Sequence, residues 1–209
     1  MEHMTGKFDP ALIAGIDLVA GVDEAGRGAW AGPVMAAAVI LPRLKSVNPF
    51  SKVRDSKQLT SRQRYQLEPL IKRHSRAWAV GAASSQEIDT LGILPATRLA
   101  MTRALLSLTP APLHILIDAL FLPEIGTPQS SLLKGDQRSL SIAAASILAK
   151  TARDRWMDEL SLSEGNYGFE RHKGYGTRLH QTALELLGPC SAHRFSYKPV
   201  RNLTIKNGQ

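Results

Sequence analysis

Two short apolar runs set the pattern at the start of the chain. Residues 18–22 are apolar or small and lead straight into Asp23 and Glu24, and 34–41 are apolar until Pro42 stops them. Runs of this length, bounded by turn formers, read as buried strands. Between them lie Gly26, Arg27, Gly28 and Gly32-Pro33, a glycine-punctuated turn, so the pair predicts a hairpin. Residues 45–59 are polar and loop-like. Thr60 with Gln63, and Ser84 with Glu87, have the spacing of capping boxes. They predict a helix from Thr60 to about His74 and a short helix after Ser84, with a third strand over 77–83 between them. A further helix is expected from near Pro95 to Leu108, broken by Thr109-Pro110-Ala111-Pro112.

The second half follows the same logic. The apolar run 114–117 predicts a strand that ends in another acid, Asp118, and a short strand is placed at 131–133. Ser139 is positioned to cap a long helix reaching about Leu160. Its alanines (Ala143, Ala144, Ala145, Ala149 and Ala152) permit close approach of neighbouring elements. The last helix is expected over 178–187. Strands come early and helices later, which predicts an α/β protein built on a central mixed sheet. The expected organisation is a short leader at 1–17, one domain over 18–200 and a polar tail at 201–209.

Composition narrows the class. Of 209 residues, 44% are apolar and 21% charged, which excludes a disordered chain, a collagen-like fibre and a coiled coil. The eight-residue run at 34–41 is too short to cross a bilayer as a helix. With no apolar segment of secretory type near Met1, a cytoplasmic location is expected. Cys190 is the only cysteine, so neither an intrachain disulfide nor a cysteine zinc cluster is available. The net charge of +8 changes the picture most, because a basic surplus favours a polyanionic partner.

Set in this basic chain, the acids stand out. Asp23 and Glu24 follow one apolar run, Asp118 follows another, and Asp136 comes after Gly135, ahead of the long helix. Adjacent residues on a regular strand face opposite ways, but a strand end entering a glycine turn relaxes that rule. Oxygen-only donor sets select hard cations such as Mg²⁺ or Mn²⁺. Carboxylates around divalent ions, with Lys and Arg nearby to hold a phosphate backbone, form the arrangement of two-metal phosphodiester hydrolysis.

The motifs resemble one family. Gly21-Val22-Asp23-Glu24-Ala25-Gly26-Arg27-Gly28 with Ala31-Gly32-Pro33, then Asp55-Ser56-Lys57, Leu116-Ile117-Asp118 and Gly135-Asp136, are similar to bacterial ribonuclease HII. The similarity continues through residues 141–147, Ala149-Lys150, Arg153-Asp154-Arg155, His172-Lys173-Gly174-Tyr175-Gly176-Thr177 and His193-Arg194. The resemblance implies a ribonuclease H-like fold: a mixed five-stranded sheet flanked by helices, with a helical C-terminal portion. It implies a catalytic and metal-binding set of Asp23, Glu24, Asp118 and Asp136, working with Mn²⁺ or Mg²⁺. It also implies hydrolysis of the RNA strand of RNA/DNA hybrids, and cutting 5′ of single ribonucleotides embedded in duplex DNA. The ends left would be 3′-hydroxyl and 5′-phosphate, and the enzyme would serve ribonucleotide removal from DNA.

Within that resemblance, Gly26, Arg27, Gly28 and Tyr175 are expected to meet the junction ribonucleotide, and Lys57, Lys173 and Arg194 to hold phosphates. Asp154 lies four residues after Lys150 on a predicted helix, so an ion pair is the simpler reading and both are given a supporting role. The scattered histidines read as structural or phosphate-facing rather than as metal ligands. Ala119, Gln137-Arg138 and Ala29-Trp30 depart from the usual pattern, and Trp30 and Arg138 are expected near the substrate path. A monomer is expected. A ribonuclease HIII-like enzyme is the nearest alternative. Against it stand the 22 residues before Asp23 and a Gly-Arg-Gly rather than Gly-Thr-Gly loop. A non-catalytic nucleic-acid-binding module is disfavoured, because acids in a polyanion groove repel the ligand unless metal is present.

Overall fold

The computed structural model describes residues 15–43 and 48–206. Most of the expected leader (1–14), part of the expected loop (44–47) and the last three residues lie outside the described range. The chain begins with β1 (Val19–Ala25) and β2 (Val34–Ile40), followed by α1 (Ser61–His74), β3 (Ala77–Ala83), α2 (Ser85–Leu91) and α3 (Ile93–Leu106). Then come β4 (His114–Asp118), β5 (Gln129–Leu132), the single turn α4 (Gly135–Arg138) and the long α5 (Leu140–Ser163). The C-terminal portion holds α6 (Phe169–His172), α7 (Arg178–Leu187) and α8 (Lys198–Lys206).

Local chemistry explains the helix starts. Thr60 and Ser84 each accept a hydrogen bond from the third helical N–H, while Gln63 and Glu87 reach back to the cap N–H, so both capping boxes are formed. Ser139 caps α5 through the Ile142 N–H. The strands join in the order β3-β2-β1-β4-β5. β1, β2 and β3 pair antiparallel, and β4 runs parallel to both β1 and β5. The expected mixed five-stranded sheet with flanking helices is therefore present.

Strand alternation divides the core into two layers. Ala20, Val22, Ala36, Ala38 and Ile40 pack against Ala96, Ala100, Met101 and Ala104 of α3. On the other face, Ala37 and Val39 meet α1 and the alanine-rich first half of α5. Gly21 is essential to that second layer, because a Cβ there would lie 2.2 Å from the Ser141 carbonyl carbon and 2.3 Å from the Ile142 nitrogen. The backbones of β1 and α5 thus touch directly, and this contact fixes where the end of β1 stands.

The two acids expected at the end of the first strand are within its last three residues, paired with Ala37 and Ala36 of β2. The ladder continues to Ala25 because β2 supplies partners that a single run of residues cannot reveal. Part of the polar tail expected from 201 is helical, since α8 runs across that boundary, and Val200 is buried in a C-terminal cluster with Tyr167, Phe169 and Leu184. Its polar composition concealed it, because only one side of the helix is covered.

Candidate active site

The carboxyl ends of the parallel strands β1 and β4 lie side by side, which is where open α/β sheets place ligands. A cavity of about 270 Å³ opens there. Asp23, Glu24 and Asp118 line it, together with Gly26, Arg27 and Gly28, Ser56 and Lys57, and Arg64, Lys150 and Tyr175. Asp23 and Glu24 leave opposite faces of β1, yet both reach the cavity because the strand ends in its wall.

Each acid is held in place. The Asp23 carboxylate accepts the Glu24 N–H at 2.7 Å, and Asp118 accepts the Gly135 N–H at 2.7 Å, which ties β4 to α4. Asp136 adjoins the cavity, near enough for its charge to act on Asp23. It stands behind Lys57, whose ammonium is 3.6 Å from the Asp136 carboxylate. Burial pushes the Asp23 carboxyl well above its ordinary range, and the charges of Glu24, Asp118 and Asp136 push it further. Burial likewise raises Glu24, against the pull of Arg27. Burial raises Asp136, and Asp55 adds to this. Among the described residues no three His, Cys, Asp or Glu side chains form a ready-made metal-holding group. The same acids repel one another across a shared hollow, and the Glu24 Oε2 is buried without a protein hydrogen-bond partner. A hard cation would supply both missing interactions.

Other expected residues fall into two groups. Lys57 is exposed at the rim, its ammonium facing Asp136 on one side and open to solvent or a ligand on the other. Lys150 pairs with Asp154 at 2.5 Å, as its spacing predicts, and its ammonium stands 5.6 Å above the Tyr175 ring. Lys173, expected on phosphate, instead has its ammonium bonded to Asp158. Arg194, also expected on phosphate, is fully buried. Its guanidinium donates to the carbonyls of Gly32, Arg27 and Gly26 at 2.8–3.0 Å, which leaves it no face for a phosphate. Trp30 packs against Gly176 and His180 rather than lining the cavity.

Three residues at the site were given no role from the sequence, although Asp55 and Arg153 stand in the quoted motifs. Asp55 is buried, accepts the Lys57 N–H and adjoins Asp136. Its position one residue before Ser56-Lys57, as the cap of a short turn, was the available signal. Arg64 forms part of the cavity wall from α1, and buried Arg153 holds the loops above it. Arg64 carries no local signature, and the motif containing Arg153 does not reveal its partners. Three of the six histidines form one structural cluster. His172, His180 and His193 are buried and stacked or hydrogen-bonded together, and burial pushes His180 and His193 down to about 4, so both are neutral near pH 7.

No helix among the described residues is long and apolar enough to cross a membrane. The family model for ribonuclease HII matches residues 20–200. Ribonuclease HII of Chloroflexus aggregans is 51% identical over 194 residues, covering 92% of each chain. That of Thermus thermophilus is 50% identical over 189 residues, covering 90% of each. Among solved structures, ribonuclease H2 from Pyrococcus horikoshii aligns with a TM-score of 0.74 at 26% identity, over 90% of this chain and 97% of that one. A ribonuclease HIII in complex with Mn²⁺ shares the fold, with a TM-score of 0.74 at 20% identity over 95% of this chain and 72% of that one. The order of the motifs, the ribonuclease H-like sheet and half-identity across nine-tenths of the chain agree, and the protein belongs to the ribonuclease HII family of hydrolytic endonucleases, with ribonuclease H activity.

Proposed function

We propose that this enzyme hydrolyses the RNA strand of RNA/DNA hybrids and cuts 5′ of single ribonucleotides in duplex DNA, using divalent ions held by Asp23, Glu24, Asp118 and Asp136. The observation that carries the reading is the cluster of buried, mutually repelling carboxylates at the end of β1, set in a chain of net charge +8. The donor set is all oxygen, and the unpartnered Glu24 Oε2 fits a hard cation. Bound there, Mn²⁺ or Mg²⁺ would supply an activated water and stabilise charge on the leaving oxygen. In the hydrolysis, water adds to phosphorus, the bond from phosphorus to the 3′-oxygen breaks, and that oxygen leaves as the 3′-hydroxyl while the phosphate stays 5′.

The chain's own groups orient the strand. The Gly26–Gly28 loop borders the acids, and a Cβ at position 28 would meet nothing within 4 Å, so the bare backbone there faces open space. A sugar bearing a 2′-hydroxyl can approach that backbone closely, and this hydroxyl distinguishes RNA from DNA. Tyr175 lies across the cavity with its ring over the Arg153 guanidinium, 5.2 Å away. This seat fits a residue that reads the junction rather than one that performs chemistry.

Cleavage of a duplex carrying one ribonucleotide, with products mapped at nucleotide resolution, tests the reading. Cuts 5′ of the ribonucleotide with the stated ends are expected, and cuts elsewhere would overturn it. Tyr175→Ala should lose roughly 5- to 150-fold on this duplex, the equivalent of about 1–3 kcal/mol of stacking. It should lose less on a long hybrid, where many registers are available. Equal losses on both substrates would assign the ring to the fold instead. Lys57→Ala should flatten the dependence of log affinity on log salt by about 0.9, one phosphate contact. The corresponding Lys173 and Arg194 variants should not, because their charges are engaged internally.

A further inference from the structure

Two arginines in this protein are buried in an unusual way. Arg153 of α5 and Arg194, ahead of α8, are both fully buried, and neither guanidinium has an acid among its hydrogen-bond partners. A buried charge without a counter-ion is costly unless its donors are satisfied. Here backbone carbonyls satisfy most of them. Arg153 donates to Pro33, Ala31 and Lys173, each at 3.0 Å. Arg194 donates to Gly32 at 3.0 Å, Arg27 at 2.9 Å and Gly26 at 2.8 Å, and also to the Tyr197 hydroxyl. The Tyr197 hydroxyl in turn donates to the Arg27 carbonyl at 2.7 Å. Six carbonyls from the 26–33 loop and the loop bearing Tyr175 therefore point at two cations.

We infer that Arg153 and Arg194 are positioning residues, which turn the Arg27 and Gly28 amides toward the cavity and hold Tyr175 opposite them. The inference rests on the proposed function only in that the Gly26–Gly28 loop meets the substrate. A trans peptide carries its N–H antiparallel to its C=O. Drawing the Gly26 and Arg27 carbonyls onto Arg194 therefore turns the Arg27 and Gly28 N–H groups the other way, toward the hollow that both residues line. Gly26 is shaped to this arrangement, with φ at +98° and a hypothetical Cβ only 2.0 Å from the Arg153 Nε. Arg153 also carries the Tyr175 ring on its guanidinium face and binds the Lys173 carbonyl two residues earlier. The two cations thus fix the donors and the aromatic face relative to each other, across more than 140 residues of sequence. Neither touches substrate.

The test uses the full chain with Arg194→Lys, Arg153→Lys, Tyr197→Phe, Gly28→Ala and the pairwise combinations with Gly28→Ala. Ile71→Val, a core change in α1 away from the cavity, is the stability control. Turnover of the single-ribonucleotide duplex is measured at a temperature where circular dichroism shows each variant folded, alongside its affinity for an all-DNA duplex. Arg194→Lys and Arg153→Lys should lower kcat at least tenfold with all-DNA affinity within twofold of the parent. Tyr197→Phe, which deletes one donor to the Arg27 carbonyl and keeps the ring, should lower kcat about two- to tenfold. Each should combine with Gly28→Ala less than multiplicatively, because both act through one loop. Normal kcat in the folded variants, or fully multiplicative losses, would overturn the inference. If an arginine variant does not fold, Tyr197→Phe decides by the same criteria. Gly28→Ala without effect would instead sink the substrate-facing loop on which the inference stands, and the inference with it.

Discussion

Asp23→Asn and Asp118→Asn should each abolish hydrolysis in Mg²⁺ while leaving the fold intact. Stabilisation of a transition-state charge by a bound metal is worth several kcal/mol, and about 1.4 kcal/mol is tenfold in rate. The loss should therefore be on the order of a thousandfold or more, well beyond that for Tyr175→Ala. A second readout separates metal holding from general damage. Burial and like charge raise the folded Asp23 carboxyl above its unfolded value, so the metal-free fold holds this proton more tightly than the unfolded chain does. That contribution to stability is present at low pH and is lost as pH climbs from the unfolded value through the raised folded one. Above that window the ionised Asp23 destabilises the metal-free fold. Asp23→Asn should thus melt higher than the parent in a chelator at pH 7, each recovered kcal/mol adding roughly 2–4 °C for a chain of this size. Titration with Mn²⁺ should raise the parent's midpoint and move that of Asp23→Asn much less. Full activity in either variant, or a lower chelator midpoint for Asp23→Asn, would remove these residues from the assignment.

Gly21→Ala should be strongly destabilising. The added carbon meets backbone atoms of Ser141 and Ile142 at 2.2 and 2.3 Å, and backbone cannot swing aside as a side chain does. Overpacking costs roughly 1–3 kcal/mol and sometimes more, and this contact belongs at the upper end. Because β1 carries Asp23 and Glu24 two and three residues farther on, a surviving fold should also lose activity as the strand moves off α5. Denaturant unfolding and a cleavage assay on the same sample check both effects. Gly28→Ala offers the contrast, since its Cβ meets nothing within 4 Å and stability should barely change. Equal unfolding midpoints for Gly21→Ala and the parent would show that the two backbones separate more easily than their contact implies.

Much of the scaffold was legible along the chain because its signals are local. A capping box is complete within four residues, so Thr60 with Gln63 and Ser84 with Glu87 announced their helices. Asp154 was legible for the same reason, since a Lys four residues earlier on a helix lies on the same face. The four acids could be named from motifs, and the family with them. Their arrangement could not. That Asp136 stands behind Lys57, and that Asp55 adjoins it, depends on which turns α4 and the 55–58 segment make against each other.

Arg194 shows the division most clearly. In sequence it is one more basic residue in a basic chain, and a phosphate contact was the natural reading. Its actual partners at Gly26, Arg27 and Gly32 lie 162 to 168 residues earlier. Composition and local pattern determined the elements, the acids and the excess positive charge. Only the tertiary structure decided which cations line the cavity and which are enclosed. A guanidinium is enclosed only where the folded chain brings enough carbonyls to satisfy it, and no window of neighbouring residues records that.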